Sequence, residues 1–261
     1  MHFYKLVCRL LAGFFFSSSL LLFFSSSLLL SLLFFSSLLL FSSSLFFFDF
    51  SFLIMVILVD NGHGFDTKGK CSPDGKYQEW AWAREMANLI VRELVSRGFD
   101  ARLVVPERED VAINTGADSR VKRVNAICDR YGRENVILLS IHSNANSCDG
   151  RWHDGEWSGF VAEVSLNASE RSKWLADFIW GRAIEAGLKG NRGVVDKRGM
   201  RFIQQNLGIC RDTKCVAVLT ESAFHDTREG VKLLLGSKQR IMLAHVEGIM
   251  DYINYITSVK S

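Results

Sequence analysis

Three nearly unbroken apolar runs, Met55–Val59, Val136–Ile141 and Val216–Leu219, set the strongest limit on how this chain can fold. A strand with one wet face alternates polar and apolar residues, whereas a continuous run marks a strand covered on both faces, as in a parallel sheet between layers of helices. Helical patterns separate the runs. Trp82, Met86, Leu89, Ile90 and Leu94 repeat at helical spacing within Gln78–Ser96, and Gly98 ends that pattern. Ser119–Tyr131 carries Val121, Val124, Ile127 and Cys128 on one face, Ala168–Ala186 is rich in Trp and Phe, and Lys238–Ile256 closes the chain as a helix. Ala101–Val105, Gly159–Leu166 and Arg201–Gln205 read as further strands. This alternation predicts an α/β fold: a single domain with a mostly parallel twisted sheet of about six strands and helices on both faces. No internal repeat is present.

Each apolar run leads into a candidate ligand or acid. Met55–Val59 runs into Asp60-Asn61-Gly62-His63-Gly64, Val136–Ile141 into His142-Ser143-Asn144-Ala145, and Val216–Leu219 into Thr220-Glu221-Ser222. In an open parallel sheet the carboxyl ends of the strands line one crevice, so these distant segments are expected to meet there. Catalytic zinc takes about three N/O ligands and keeps a position open for water, and two His with one Glu is a standard set. His63 and His142 supply the histidines, and Glu79, at the head of a helical pattern, is the third candidate. Glu85 on the same helix competes with it, and an acid in the first turn also has a plain reading as a partner of the helix dipole. A carboxylate that is not a ligand must still take a proton from water. Glu221, the one acid in Val216–Ala223, is the candidate base.

Asp-Asn-Gly-His-Gly, a Glu sixteen residues beyond that His, Ser-Ile-His-Ser-Asn-Ala and Thr-Glu-Ser-Ala-Phe together resemble the zinc-dependent N-acetylmuramoyl-L-alanine amidases of the amidase-3 class. The resemblance covers about Met55 to Ile256. It implies that His63, Glu79 and His142 hold zinc, that Glu221 is the catalytic acid/base, and that the substrate is peptidoglycan, cut between N-acetylmuramic acid and L-alanine. The sixteen-residue offset favours Glu79 over Glu85. Arg120-Val-Lys-Arg-Val-Asn125 also fits the resemblance, without an assigned role. Asn61 stands where the family usually has Pro, and Ser222-Ala223 replaces a usual Gly. Neither departure removes a ligand. The alternatives are a zinc peptidase or deacylase acting on another amide, and a wall-binding module without turnover, which would have no use for Glu221.

The other histidines carry less. His153-Asp-Gly-Glu156 spells a zinc-peptidase pattern, but no strand leads into it, so it reads as loop. His225 follows Glu221 closely enough to enter the site as a hydrogen-bond donor, although an ordinary loop histidine is the plainer reading. His245 reads as surface or helix packing. Trp152 and Trp157 lie in a Gly-rich loop after His142 and suit one wall of a substrate groove or a cap on the sheet edge. Cys210 and Cys215 are spaced so that they could pair, but the spacing is weak grounds for a disulfide or a metal, and a reduced, cytoplasmically synthesised chain is the simpler reading.

From Phe14 to Leu53 every residue is Phe, Ser or Leu except Asp49. The expected division is therefore 1–54, a low-complexity leader, and 55–261, the catalytic domain. Phe, Ser and Leu codons can be written largely in pyrimidines, which favours a mis-assigned start with Met55 as the initiator. The alternative is a targeting or membrane segment following Lys5 and Arg9. Against it, Ser clusters interrupt the run and no small-residue cleavage site follows. Without the leader, two cations and one anion fewer take the formal charge from +3 to +2. Nothing in that balance favours a nucleic-acid partner. The expected protein is a monomer acting on the cell wall, in the periplasm or outside the cell, with a membrane partner only if residues 1–54 are genuine.

Overall fold

In the computed structural model, which describes residues 55–190 and 194–259, the first apolar run forms β1 (Val56–Asn61), buried along its whole length. The chain continues through α1 (Glu79–Ser96), β2 (Asp100–Leu103), α2 (Arg120–Tyr131) and β3 (Val136–Asn144). It then forms β4 (Val161–Ser165), α3 (Glu170–Glu185), β5 (Val194–Val195), β6 (Arg201–Gln205) and α4 (Gly208–Arg211). The last elements are β7 (Val216–Phe224), α5 (Arg228–Gly236) and α6 (Lys238–Ser258). The strands form one sheet in the order β2-β1-β3-β7-β4-β6-β5. β2, β1, β3 and β7 are mutually parallel, β4 runs antiparallel to β7 and parallel to β6, and the two-residue β5 is antiparallel to β6. The mostly parallel α/β sheet expected from the alternation is the one observed.

Side chains alternate between the two faces of a strand, so the two helical layers divide each apolar run between them. Ile57, Val59, Ile137, Leu139, Ile141 and Val218 face one layer, where Met86, Ile90 and Leu94 of α1, Leu175 and Ile179 of α3, and Ile249 and Tyr252 of α6 cover them. Val56, Leu58, Val136, Leu138, Ala217 and Leu219 face the other, against Val121, Val124 and Cys128 of α2 and Ile209 and Cys210 beside α4. This second layer is thinner. Beyond it the same face carries Asp60, Ser140, His142 and Glu221 in register across β1, β3 and β7. A polar crevice is therefore left at the carboxyl ends of the central strands.

Side-chain caps set several helix starts. Ser119 accepts from Lys122 N at α2, Ser169 from Ser172 N at α3 and Thr227 from Gly230 N at α5, each satisfying an amide that a helix start leaves free. Two expected strands prove longer than their apolar runs: β3 continues past Ile141 to Asn144, and β7 past Leu219 to Phe224. His142 and Glu221 consequently lie inside paired strands rather than at their ends. Among the described residues no helix is long and apolar enough to cross a membrane. The expected leader, 1–54, lies outside the described residues.

Candidate metal centre

The loop that leaves β1 must pass His142 at very close range. A Cβ on Gly62 would lie 2.1 Å from His142 Cε1, and one on Gly64 would lie 2.0 Å from the backbone N of Asp110, so only glycine fits at either position. Between them His63 takes a left-handed backbone (φ 63°), which is unfavourable for a side chain with a Cβ. Such strain persists where surrounding contacts enforce it. Here Gly62 N donates to Ile141 O (3.1 Å), and Arg120 Nη2 donates to His63 O (3.4 Å).

Glu79 is the first residue of α1 and is 1% exposed. Its Oε1 accepts from Ser143 N (3.0 Å) and lies 3.0 Å from His142 Nδ1, while Oε2 lies 3.5 Å from His63 Nε2. One potential donor atom from each of His63, Glu79 and His142 falls within 4.8 Å of the others. Donors about 2.0–2.1 Å from a tetrahedral metal stand roughly 3.3 Å apart, so the cluster is close to a three-ligand cage. Its charges also suit a divalent cation. Burial lowers the His63 pKa to about 4 against the opposing charge of Glu79, which keeps the imidazole neutral with a lone pair to give. Burial opposes ionisation of Glu79, but the hydrogen bond and charge of His142, with His63, outweigh it and bring its pKa down to about 2. Glu85, the competing candidate, is instead paired with Lys238 on the surface (2.7 Å).

Glu221 lies directly across from His142 in the β3–β7 register, so both side chains rise from the same face of the sheet. Its Oε2 is inaccessible and is among the few buried polar atoms with no hydrogen-bond partner. Burial, with the charges of Glu79 and Glu163 adding to it, pushes the carboxyl well above its ordinary pKa. An unpartnered carboxyl beside a three-donor cluster can act as an acid/base on a reacting group between them. The cleft over these residues has a volume of about 500 Å³, and Lys70, Asp110 and His225 also line it.

Two participants were not legible as such in the sequence. His225 is 4% exposed, stacks on Tyr77 and places Nδ1 3.0 Å from Ser143 Oγ, which in turn accepts from Tyr77 OH (2.8 Å). It belongs to the cleft and is not an ordinary loop histidine. Arg120 gives its unassigned segment a role: its side chain is 3% exposed and binds Asp60, Asp110 (2.7 Å), Val111 O (2.6 Å) and Asn61 O (3.1 Å). The end of β1 and the Asp110–Val111 segment are thereby tied to α2. The departure at Asn61 leaves this tie intact, because it uses the Asn61 carbonyl.

The remaining histidines do not join the cluster. His153 bonds Glu156 and Asp149 (both 3.0 Å) within its own loop, and those bonds raise its pKa to about 9. His245 is fully buried between Thr220 Oγ1 (2.8 Å) and Ile241 O (2.7 Å), so the surface reading is replaced by a core one. Cys210 and Cys215 are free thiols.

An open α/β sheet with a His-Glu-His cluster and an unpartnered carboxylate above its central strands defines the class: an α/β protein with three potential metal donors gathered in a crevice. The sequence model of one family, described as N-acetylmuramoyl-L-alanine amidase of the amidase-3 class, matches residues 57–251, and the chain belongs to that family of enzymes. It is 24% identical over 205 residues to an endolysin of Bacillus phage SPP1, covering 76% of this chain and 66% of the endolysin. The chain thus spans just under two thirds of that relative. The fold is similar to the catalytic domain of CwlV, an N-acetylmuramoyl-L-alanine amidase from Bacillus (Paenibacillus) polymyxa var. colistinus, with 19% identity, 77% and 98% of the two chains covered and a TM-score of 0.60. It is also similar to the Mycobacterium smegmatis amidase Ami1, at 14% identity, 77% and 97% coverage and a TM-score of 0.61.

Proposed function

We propose that this chain hydrolyses the amide between the lactyl group of N-acetylmuramic acid and the first L-alanine of the peptidoglycan stem, with zinc held by His63, Glu79 and His142. The observation that carries the reading is the placement of Glu221, an unpartnered carboxyl in direct register with His142 on the neighbouring strand. Zinc bound there supplies Lewis acidity toward the scissile carbonyl and lowers the pKa of water from 15.7 toward about 7.

The protein's own groups do the rest. Glu221 takes the proton of the attacking water and passes it to the departing amine nitrogen, so that one carboxyl serves as base and then as acid. The carboxylate that takes the proton gives it up again, so it is regenerated at the end of each cycle. Ser143 N and the Lys70–Glu79 backbone bond (2.9 Å) fix the Glu79 carboxylate. Arg120 fixes the strained His63 turn, so the donors are arranged before substrate arrives. His225 Nδ1 lies 3.0 Å from Ser143 Oγ and 3.1 Å from Ser143 O, and because the carbonyl can only accept, Nδ1 carries the proton and the ring is held against the Ser143 backbone at the wall of the cleft.

The site of action is the cell wall, outside the cytoplasmic membrane. The test is digestion of purified peptidoglycan followed by mass spectrometry. Free peptides beginning with L-alanine, with the glycan strands left whole, are the expected products. Cut glycan, or stems shortened from within, would refute the assignment.

A further inference from the structure

A second carboxylate shares the catalytic face of the sheet. Glu163 lies on β4 two residues from Val161, the antiparallel partner of Glu221, and its side chain points to the same side as Glu221. It is 4% exposed. Gln205 Nε2 donates to its Oε1 (2.9 Å), and no group among the described residues binds the other oxygen. Glu163 lines a groove of about 330 Å³. The groove joins the metal cleft through Asn144 and Ala145, which line both. Val161, Ile203, Phe224 and Trp157 give it apolar surface, and among the described residues no lysine or arginine lines it. The second acid there, Glu156, is already bound to His153.

A buried carboxylate without a cation is costly, as the upward shift that burial imposes on Glu163 reflects. A mostly polar groove that holds such a carboxylate beside the apolar faces of Val161, Ile203 and Phe224 can take a side chain that ends in an ammonium group. Resting on the amidase reading above, we propose that Glu163 is the specificity residue of a subsite for a stem peptide carrying a free side-chain amine. In this arrangement the peptide leaves the metal cleft past Asn144 and lays its cationic side chain along β4 and β6, with the ammonium taken by the free oxygen of Glu163.

The test uses two pairs of probes. The first pair is a muramoyl tripeptide with lysine at its third position and the same compound with the lysine amine acetylated; the second is the corresponding free tripeptides. Charge-assisted hydrogen bonds to a desolvated partner are worth roughly ten- to a hundredfold in affinity, so kcat/KM should favour the free amine by about that factor. In Glu163→Gln the ratio should collapse toward one. Calorimetry should show the free tripeptide binding wild type more tightly than its acetylated form, and Glu163→Gln losing that difference.

A wild-type protein that cleaves both substrates at equal kcat/KM and binds both tripeptides alike overturns the subsite while the amidase reading stands. So does a Glu163→Gln protein that slows both substrates together with the ratio preserved, which is the mark of a purely structural role. Selective binding of the free tripeptide without cleavage of either substrate supports the subsite and contradicts the amidase reading. The wild-type comparison changes only the probe, so it decides the matter even if Glu163→Gln fails to fold.

Discussion

At the scale of single residues, the account depends on three donors and the glycines that let them approach. His63→Ala or His142→Ala should lose most bound zinc along with activity, whereas Glu85→Ala, at a surface pair with Lys238, should keep about one zinc per chain by elemental analysis. Zinc retained in both histidine variants would remove the cluster from the mechanism. Gly62→Ala is the finer test, since the added methyl must displace the His142 ring. Misdirected ligands typically cost about 10–100-fold in metal affinity, to be read by competition with a chelator. The four principal residues were legible because each follows an apolar strand run or heads a helix. His225 was legible only as one of two alternatives, because its membership depends on Ser143 and Tyr77, far away in sequence. Arg120 was legible as a motif but not as a function, since its partners lie at the end of β1 and in the Asp110 segment, whose approach to each other no local pattern records.

At the scale of elements, strand existence was readable and strand length was not. Apolar runs stop at Ile141 and Leu219, but the backbone ladder of a parallel pair continues wherever the neighbour continues, so β3 and β7 carry His142 and Glu221 inside them. The four-residue α4 and two-residue β5 offer no periodicity to detect, although Thr227 ahead of α5 was an available cap signal. Arg120 joins elements as much as residues. Arg120→Met leaves Asp60 buried without its cation, and breaking a buried pair on one side costs about 3–5 kcal/mol, measurable as a lower urea midpoint. A midpoint equal to wild type would deny it that role. The α6–β7 contact should be pH-sensitive. Burial lowers the His245 pKa to about 4 from 6.5, so its contribution to stability is complete above pH 6.5 and lost as pH falls toward 4. That range corresponds to about 3 kcal/mol. His245→Gln should therefore be less stable at pH 7 yet show a shallower loss of unfolding free energy between pH 6.5 and 4; an acid limb as steep as wild type would assign the effect elsewhere.

At the scale of the whole molecule, the sheet is covered unequally, and that asymmetry creates the site. Helices α1, α3, α5 and α6 cover one face, while α2 and α4 stop short on the other and leave the upper part of β1, β3 and β7 polar and lining the cleft. The α/β class followed from the alternation of apolar runs and helical patterns. The antiparallel placement of β4 did not, because a short strand buried on both faces reads the same in either direction. The central claim is that three residues hold the metal while a fourth moves the proton, and zinc content and turnover measured together on Glu221→Gln test it most directly. The substitution keeps the size of the side chain and removes its capacity to accept a proton. Zinc should stay at about one per chain and turnover should fall by about 10²–10⁴-fold, the usual contribution of a general acid/base. Loss of zinc would make Glu221 a ligand, unchanged turnover would exclude it from the chemistry, and either result would contradict the account.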